Sequence, residues 1–315
     1  MLHLGVAGFV EKERQAYAMR HLLRIGPAGA PLSTPAPRST LEGVRHCRSL
    51  GLDAMEVEFV QGVHMKEDLA ATVGEEARRV DVSLSVHAPY FINLCSDEEG
   101  KLANSRRHIL QSVRMAQLLH ASPVVFHPGF YQGRSKGECA KRAKEHLKLI
   151  LDEMKQMGWN DVVLGAELTG KKSAYGDLDE IIDLSNHFGL SHLQPVVDFG
   201  HYHARMGRIC DKKDYEKILD KIEKELGSGY RQEFHCHYSE IEYTEAGEGK
   251  HMPIGSLKAG QIPPATGGGS GGPPYQPLLS VLSERGYSGT IICESPKLEE
   301  DALIMKKAYD KMGKK

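Results

Sequence analysis

The chain has almost no net charge: its formal charge is −2 at pH 7 and its pI is about 6.8. No global basic field announces a nucleic-acid binder, although a local basic face is compatible with that total. Its six cysteines (Cys47, Cys95, Cys139, Cys210, Cys236 and Cys293) are scattered and form no CxxC pair. That excludes the disulfide framework of a short secreted domain and fits reduced intracellular thiols. No segment approaches the roughly 20 apolar residues of a membrane span. The opening MLHLGVAGFV is apolar but short, lacks a basic start and runs into EKERQ, which makes it a poor secretory signal. These absences lead to the expectation of a cytoplasmic protein without a membrane segment.

What is present is an ordinary globular composition, 40% apolar and 26% charged, over 315 residues. That length suits two modest domains or one (β/α)₈ barrel, which needs roughly 250 residues. Strand-like runs are predicted over 22–25, 54–59, 83–87, 124–127, 162–166, 194–197, 233–237 and 290–293. Helical spacing of apolar residues predicts helices over 40–50, 66–79, 98–120, 136–157, 177–187, 212–226, 275–285 and 298–312. Several helices are followed by glycine, as at Leu50-Gly51, Met157-Gly158 and Phe188-Gly189. Eight βα units in series predict an α/β fold, a single-domain (β/α)₈ TIM barrel over 21–315, with 1–20 as an N-terminal extension. A doubly wound open sheet is the structural alternative.

Two Gly/Pro-rich segments interrupt the repeat, Gly26–Pro37 and Gly260–Pro277. Both fall after strands, hence on the face where a barrel places its site. The second is expected to form no packed element, and to act as a substrate-covering loop or a tolerated insertion.

Metal-ligand side chains recur at the ends of the strand-like runs. His87 ends SLSVH, His127 follows VVF, Glu167 follows VVLGA, and Asp198 with His201 ends PVVDFGH. His235 and His237 lie in EFHCHYS, His251 in GKHMPIG, and Glu294 in TIICESP. A barrel points successive strand ends into one volume, so this series suggests a metal cluster at the C-terminal rim. Glu167, Asp198 and Glu294 would be costly to bury as unpaired charges, so something cationic should face them. His46, His108, His120, His146 and His187 lie in predicted helices and read as surface or capping residues.

HAPYFINL, FHPGF, AELTG, VDFGH, FHCHYS and ICESP, in this order and spacing, resemble the endonuclease IV family of abasic-site endonucleases. That family sits among the xylose-isomerase-like barrels, and the likeness is greatest to its archaeal branch. The resemblance implies that His87, His127 and Glu167 hold one divalent ion. Glu167 would bridge to a second ion completed by Asp198, His235 and Glu294, and His201 and His251 would serve a third. The family has Asp two residues before that last His, where this chain has Gly249. Glu248, His203 or His237 could substitute. His235 and His237 alternate onto one strand face, His237 being nearer the rim.

The implied activity is metal-assisted phosphodiester hydrolysis in damaged double-stranded DNA, with a nick 5′ of an abasic site. Glu167 and Glu294 would act as catalytic residues, with Zn²⁺ as the expected ion and Mn²⁺ as a second option. Tyr90 matches a family aromatic that presses on the DNA stack, and Arg134 and Lys250 are candidate DNA contacts. Arg38, Lys136, Arg205 and Arg208 are further basic residues near the same face, most of them expected to be solvated charge. A monomer is expected. Two rival readings stay open: a single-metal sugar isomerase or epimerase using Glu167, Asp198, His235 and Glu294, and a barrel that binds metal or nucleic acid without turnover.

Overall fold

Apolar runs of three to six residues, buried along nearly their whole length, form eight parallel strands. They are β1 Leu23–Pro27, β2 Ala54–Glu58, β3 Ser83–His87, β4 Val124–Phe126, β5 Leu164–Glu167, β6 Leu193–Asp198, β7 Phe234–Tyr238 and β8 Gly289–Cys293. The structure, a computed structural model, describes residues 23–256 and 269–312. Each strand pairs in parallel with the next in sequence, from β2 through β8, and β8 pairs with β1. A parallel bridge from Ala28 to Glu56 joins β1 to β2, and the Gly29 N–H donates to the Glu56 carbonyl at 3.0 Å. The ring is closed, which makes this a (β/α)₈ barrel.

Seven helices return the chain between strands and an eighth follows β8: α1 Thr40–Leu50, α2 Glu67–Val80, α3 Glu99–Leu119, α4 Lys136–Gln156, α5 Leu178–Phe188, α6 Lys212–Leu226, α7 Tyr275–Glu284 and, last, α8 Glu299–Met312. Local chemistry sets their ends. Ser135 with Glu138, and Asp177 with Glu180, form reciprocal capping boxes that satisfy the first amides of α4 and α5. Gly51 ends α1 at φ 84°, a left-handed conformation that costs glycine little. The helices cover the barrel, and one continuous apolar core runs from the strand interiors out to the helix faces. Among the described residues no helix is long and apolar enough to cross a membrane.

Three elements depart from expectation. A short helix, Phe199–Arg205, follows β6 directly. After β7 the chain forms a hairpin, Glu240–Thr244 against Gly247–Met252, whose polar, Gly-containing return arm carries no apolar periodicity to betray it. Gly269–Ser270 adds a third strand to that hairpin, and Tyr275–Pro277 is the first turn of α7, where proline's missing N–H is not needed. The end of the Gly/Pro-rich segment is therefore packed, contrary to expectation. Residues 257–268 of that segment, and the extension expected over 1–20, lie outside the described residues.

Closure depends on backbone contact between β1 and β2. A Cβ at Gly26 would lie 1.8 Å from the Ala54 carbonyl oxygen, so no side chain fits there. Gly26→Ala should destabilise the protein by about 3 kcal/mol or more, the upper end of overpacking effects. Urea unfolding checks this, and a midpoint equal to wild type would contradict it.

Candidate metal centre

Parallel strands deliver their C-terminal ends to one rim, and here those ends carry ligand atoms. His87 is the last residue of β3, Glu167 the last of β5 and Asp198 the last of β6. His127 and Glu294 lie one residue beyond β4 and β8. His201 comes from the short helix, where the Asp198 carboxylate accepts its N–H at 2.5 Å and caps that helix. His237 comes from β7, and Glu248 and His251 from the returning arm of the hairpin.

Glu167 is fully buried at the centre, and its two oxygens face different partners. Oε2 lies 2.9 Å from His87 Nε2 and 2.9 Å from His127 Nε2. Oε1 lies 3.2 Å from His237 Nδ1 and 3.3 Å from His201 Nδ1. Glu294 Oε1 stands 3.2 Å from the same His237 nitrogen. Backbone carbonyls fix two of the rings. Ala88 O takes the His87 Nδ1–H at 2.7 Å, and Leu168 O takes the His201 Nδ1–H at 2.9 Å. Each ring thereby turns its Nε2 into the site, the orientation seen in the carbonyl–histidine pairs that support bound metals.

Burial opposes ionisation of Glu167, but His127 and His237 outweigh it and hold its carboxyl well below the usual range. Burial, together with the Glu167 and Asp198 charges, pushes Glu294 well above that range. His201 is desolvated, yet Asp198 and Glu167 raise it well above an ordinary imidazole. This is a set of carboxylates short of positive charge.

The residues fit a divalent cation. His127 Nε2, Asp198 Oδ2 and His201 Nε2 are buried atoms without a hydrogen-bond partner, in a site where orphaned polar atoms are expensive. Groups whose ligand atoms lie within 4.8 Å of one another include His127–Glu167–His201 and Glu167–Asp198–His201–Glu294. Imidazole with carboxylate is a donor set suited to zinc- or manganese-like ions.

The structure sorts the remaining candidates. His237, not His235, meets Glu167 and Glu294. His235 lies deeper, with its Nε2 3.4 Å from Glu56 Oε2. Two residues of strand rise separate them on the same face, and only the upper one reaches the rim. His203 joins none of these groups: its Nδ1 accepts the Ile209 N–H at 3.1 Å and its ring packs on Tyr243. Glu248 does come to the rim, with Oε2 3.4 Å from His201 Nε2 and Oε1 3.9 Å from His251 Nε2.

A bulge in the hairpin explains how. Glu242 pairs with Lys250 and Tyr243 with Glu248, so Gly249 is the extra, unpaired residue. A Cβ at Gly249 would meet the Glu242 carbonyl oxygen at 2.9 Å, and a Cβ at Gly170 would meet Glu248 Cβ at 2.5 Å. The backbone thus brings the neighbouring acid, rather than residue 249, to the site.

A cavity of about 410 Å³ opens above this cluster, lined by Tyr90, His127, Lys171, Glu248, His251 and Glu294 among others. Tyr90 is 41% exposed and stacks on His127 with ring centroids 5.5 Å apart. The expected DNA contacts are largely neutralised. Arg134 pairs with Asp97, Lys250 lies 3.4 Å from Glu242, and Lys136 pairs with Asp177. Arg205 is turned inward to Thr169 Oγ1 at 2.6 Å.

Sequence reading passed over Lys171, the cation in the cavity wall, and the buried pair Glu56 and Glu58 on β2. Two acids alternating in the apolar strand AMEVE carried the same signal that singled out Glu167. Both Glu58 oxygens are buried and unpartnered, and burial with the Glu56 charge raises its carboxyl to about 7.

A closed parallel barrel with its polar cluster at the strand ends defines the class of protein. A model of the xylose isomerase-like TIM barrel family matches residues 44–312, and the chain belongs to that family. It is 38% identical over 292 residues to an uncharacterized protein of Methanocaldococcus jannaschii, covering 92% of this chain and 98% of that one. It is 25% identical over 214 residues to a protein named probable endonuclease 4 of Finegoldia magna, covering 67% and 68% of the two chains. Among solved structures, endonuclease IV from Thermus thermophilus superimposes with a TM-score of 0.64 at 19% identity, covering 91% and 99%. D-psicose 3-epimerase from Clostridium cellulolyticum superimposes with a TM-score of 0.62 at 12% identity, covering 92% and 97%. The structural likenesses show the shared barrel.

Burial makes His203 a measurable pH reporter, because it pushes its pKa down to about 4 from the usual 6.5. The folded state holds it neutral, so the unfolded chain binds more protons between those values. Stability should therefore fall as pH drops from 6.5 towards 4, by up to about 3 kcal/mol from this residue. A His203→Gln variant should lose correspondingly less in urea unfolding at pH 4.5 relative to pH 7. Identical pH dependence in the two proteins would refute the assignment.

Proposed function

We propose that the chain is a multinuclear metal-dependent phosphodiester hydrolase that nicks duplex DNA 5′ of abasic sites. The observation that carries this reading is the two-sided engagement of Glu167, whose oxygens each face a different pair of histidines. A single-ion sugar site has no use for His87, His127, His201 and His251 together, whereas a bridged cluster does. His87, His127 and Glu167 would hold one ion. Glu167, Asp198, His237 and Glu294 would hold a second, and His201, His251 and Glu248 a third. Divalent ions there, Zn²⁺ or Mn²⁺, would supply Lewis-acid stabilisation of phosphate and leaving oxygens.

The chain's own residues do the positioning. The Ala88 and Leu168 carbonyls hold the His87 and His201 rings in their working orientation before substrate arrives, so little reorganisation is left to the reaction. Tyr90 shields His127 from solvent and stands where a displaced base or sugar would pack. Lys171 is the cavity cation for a phosphate oxygen. The proteins named probable endonuclease 4 among the relatives support the same chemistry.

A second reading, a sugar isomerase or epimerase, is favoured by one observation. Arg134 and Lys250 are paired with acids, which leaves a small cavity with little cationic wall. One assay separates the two. Metal-loaded protein should cut a duplex carrying a single abasic-site analogue on its 5′ side, leaving a 3′-hydroxyl, and chelator should abolish the cut. Glu167→Gln should slow cleavage at least about 100-fold, and Glu248→Gln by about 10-fold or more. No cleavage by fully loaded protein would transfer the assignment to the sugar reading.

A further inference from the structure

Beneath the rim cluster a second set of ligand atoms converges inside the barrel. Glu56 on β2 and His235 and His237 on β7 are each at most 2% exposed. His237 Nε2 lies 3.0 Å from Glu56 Oε1, and His235 Nε2 lies 3.4 Å from Glu56 Oε2. These approaches are not hydrogen bonds. Glu56 Oε1, His235 Nε2 and His237 Nε2 are all buried without a hydrogen-bond partner.

Close, misaligned nitrogen and oxygen atoms are what two ligands of one ion look like. At about 2.1 Å from a cation and roughly 100° apart, they would stand about 3.2 Å from each other. The Ser85 hydroxyl donates to Glu56 Oε2 at 2.7 Å and steadies the carboxylate. Glu58, two residues along β2, adds a carboxylate with both oxygens buried and unpartnered. Nothing in the rim chemistry uses Glu56, Glu58 or His235.

We propose that Glu56, His235 and His237 form a separate, deeper site for a divalent transition-metal ion, with Glu58 beside it. Two imidazoles and a carboxylate, in a pocket without bulk water, select a zinc-like ion over magnesium or calcium. Glu56 and His235 stand outside the phosphodiesterase reading, and His237 alone is shared with it. His237 links the two levels, because its Nδ1 faces Glu167 and Glu294 while its Nε2 faces Glu56. With both levels loaded the ring would be held through both nitrogens as an imidazolate, its proton released to solvent on loading. The deep ion then anchors a rim ligand from below.

The test is zinc content of the full chain, loaded with zinc and dialysed against metal-free buffer. His235→Asn and Glu56→Gln should each hold one zinc equivalent fewer than wild type, while His127→Asn should lose rim zinc and keep the deep equivalent. In wild type, chelator should remove one equivalent at least tenfold more slowly than the rest, because the deep site is buried. That measurement keeps the proposal open to refutation if a variant fails to fold, since release in one fast phase overturns it. Folded His235→Asn and Glu56→Gln with the wild-type zinc content overturn it too, and leave the rim reading intact. Zinc that persists in His127→Asn and Glu167→Gln but vanishes in His235→Asn upholds the deep site and sinks the rim reading.

Discussion

A carboxylate with no access to water has to be answered by positive charge, and Glu167 is such a group. It sits at the end of β5 with a pair of histidines facing each of its two oxygens, and the rest of the site follows from satisfying it. Ordinary barrel packing would fill that position with an apolar side chain. Here the rim instead gathers Asp198 and Glu294 as well, so the histidines alone must share several negative charges. Divalent ions held by this donor set would resolve that excess.

The barrel makes this convergence cheap in conformational terms. Six strands, β3 to β8, each bring one side chain to the mouth, and the rings of His87 and His201 are held by carbonyls of the residues next to His87 and Glu167. The hairpin after β7 supplies what the strands cannot. Its bulge at Gly249 moves Glu248 to the rim, and Gly170 leaves room for the approach. Where the sequence shows glycine at 249, the fold places the neighbouring acid, Glu248, beside His201 and His251.

Much of this was legible without coordinates. Parallel strands buried on both faces read as continuous apolar runs, and glycines such as Gly51 and Gly189 mark where helices end. His87, His127, Glu167, Asp198 and Glu294 were visible because each polar residue ends an apolar strand. The choice between His235 and His237 was not, since a period of two puts both on one face and only strand stagger sets their depth. The hairpin was hidden because GEGKHM has no alternation, and its bulge leaves no trace in composition. Glu56 and Glu58 were visible as acids within an apolar strand, yet β2 carries no motif that drew attention to them. Rim charge was misjudged for a related reason: Asp97, distant in sequence, pairs with Arg134, and Glu242, brought opposite by the hidden hairpin, pairs with Lys250.

The central claim is that Glu167 bridges two ions, and anomalous X-ray diffraction from zinc-loaded crystals, collected at the zinc edge, addresses it most directly. The account predicts separate peaks on the two sides of the Glu167 carboxylate, one at its Oε2 with His87 and His127, the other at its Oε1 with Asp198, His237 and Glu294. A single peak on one side of that carboxylate would contradict it.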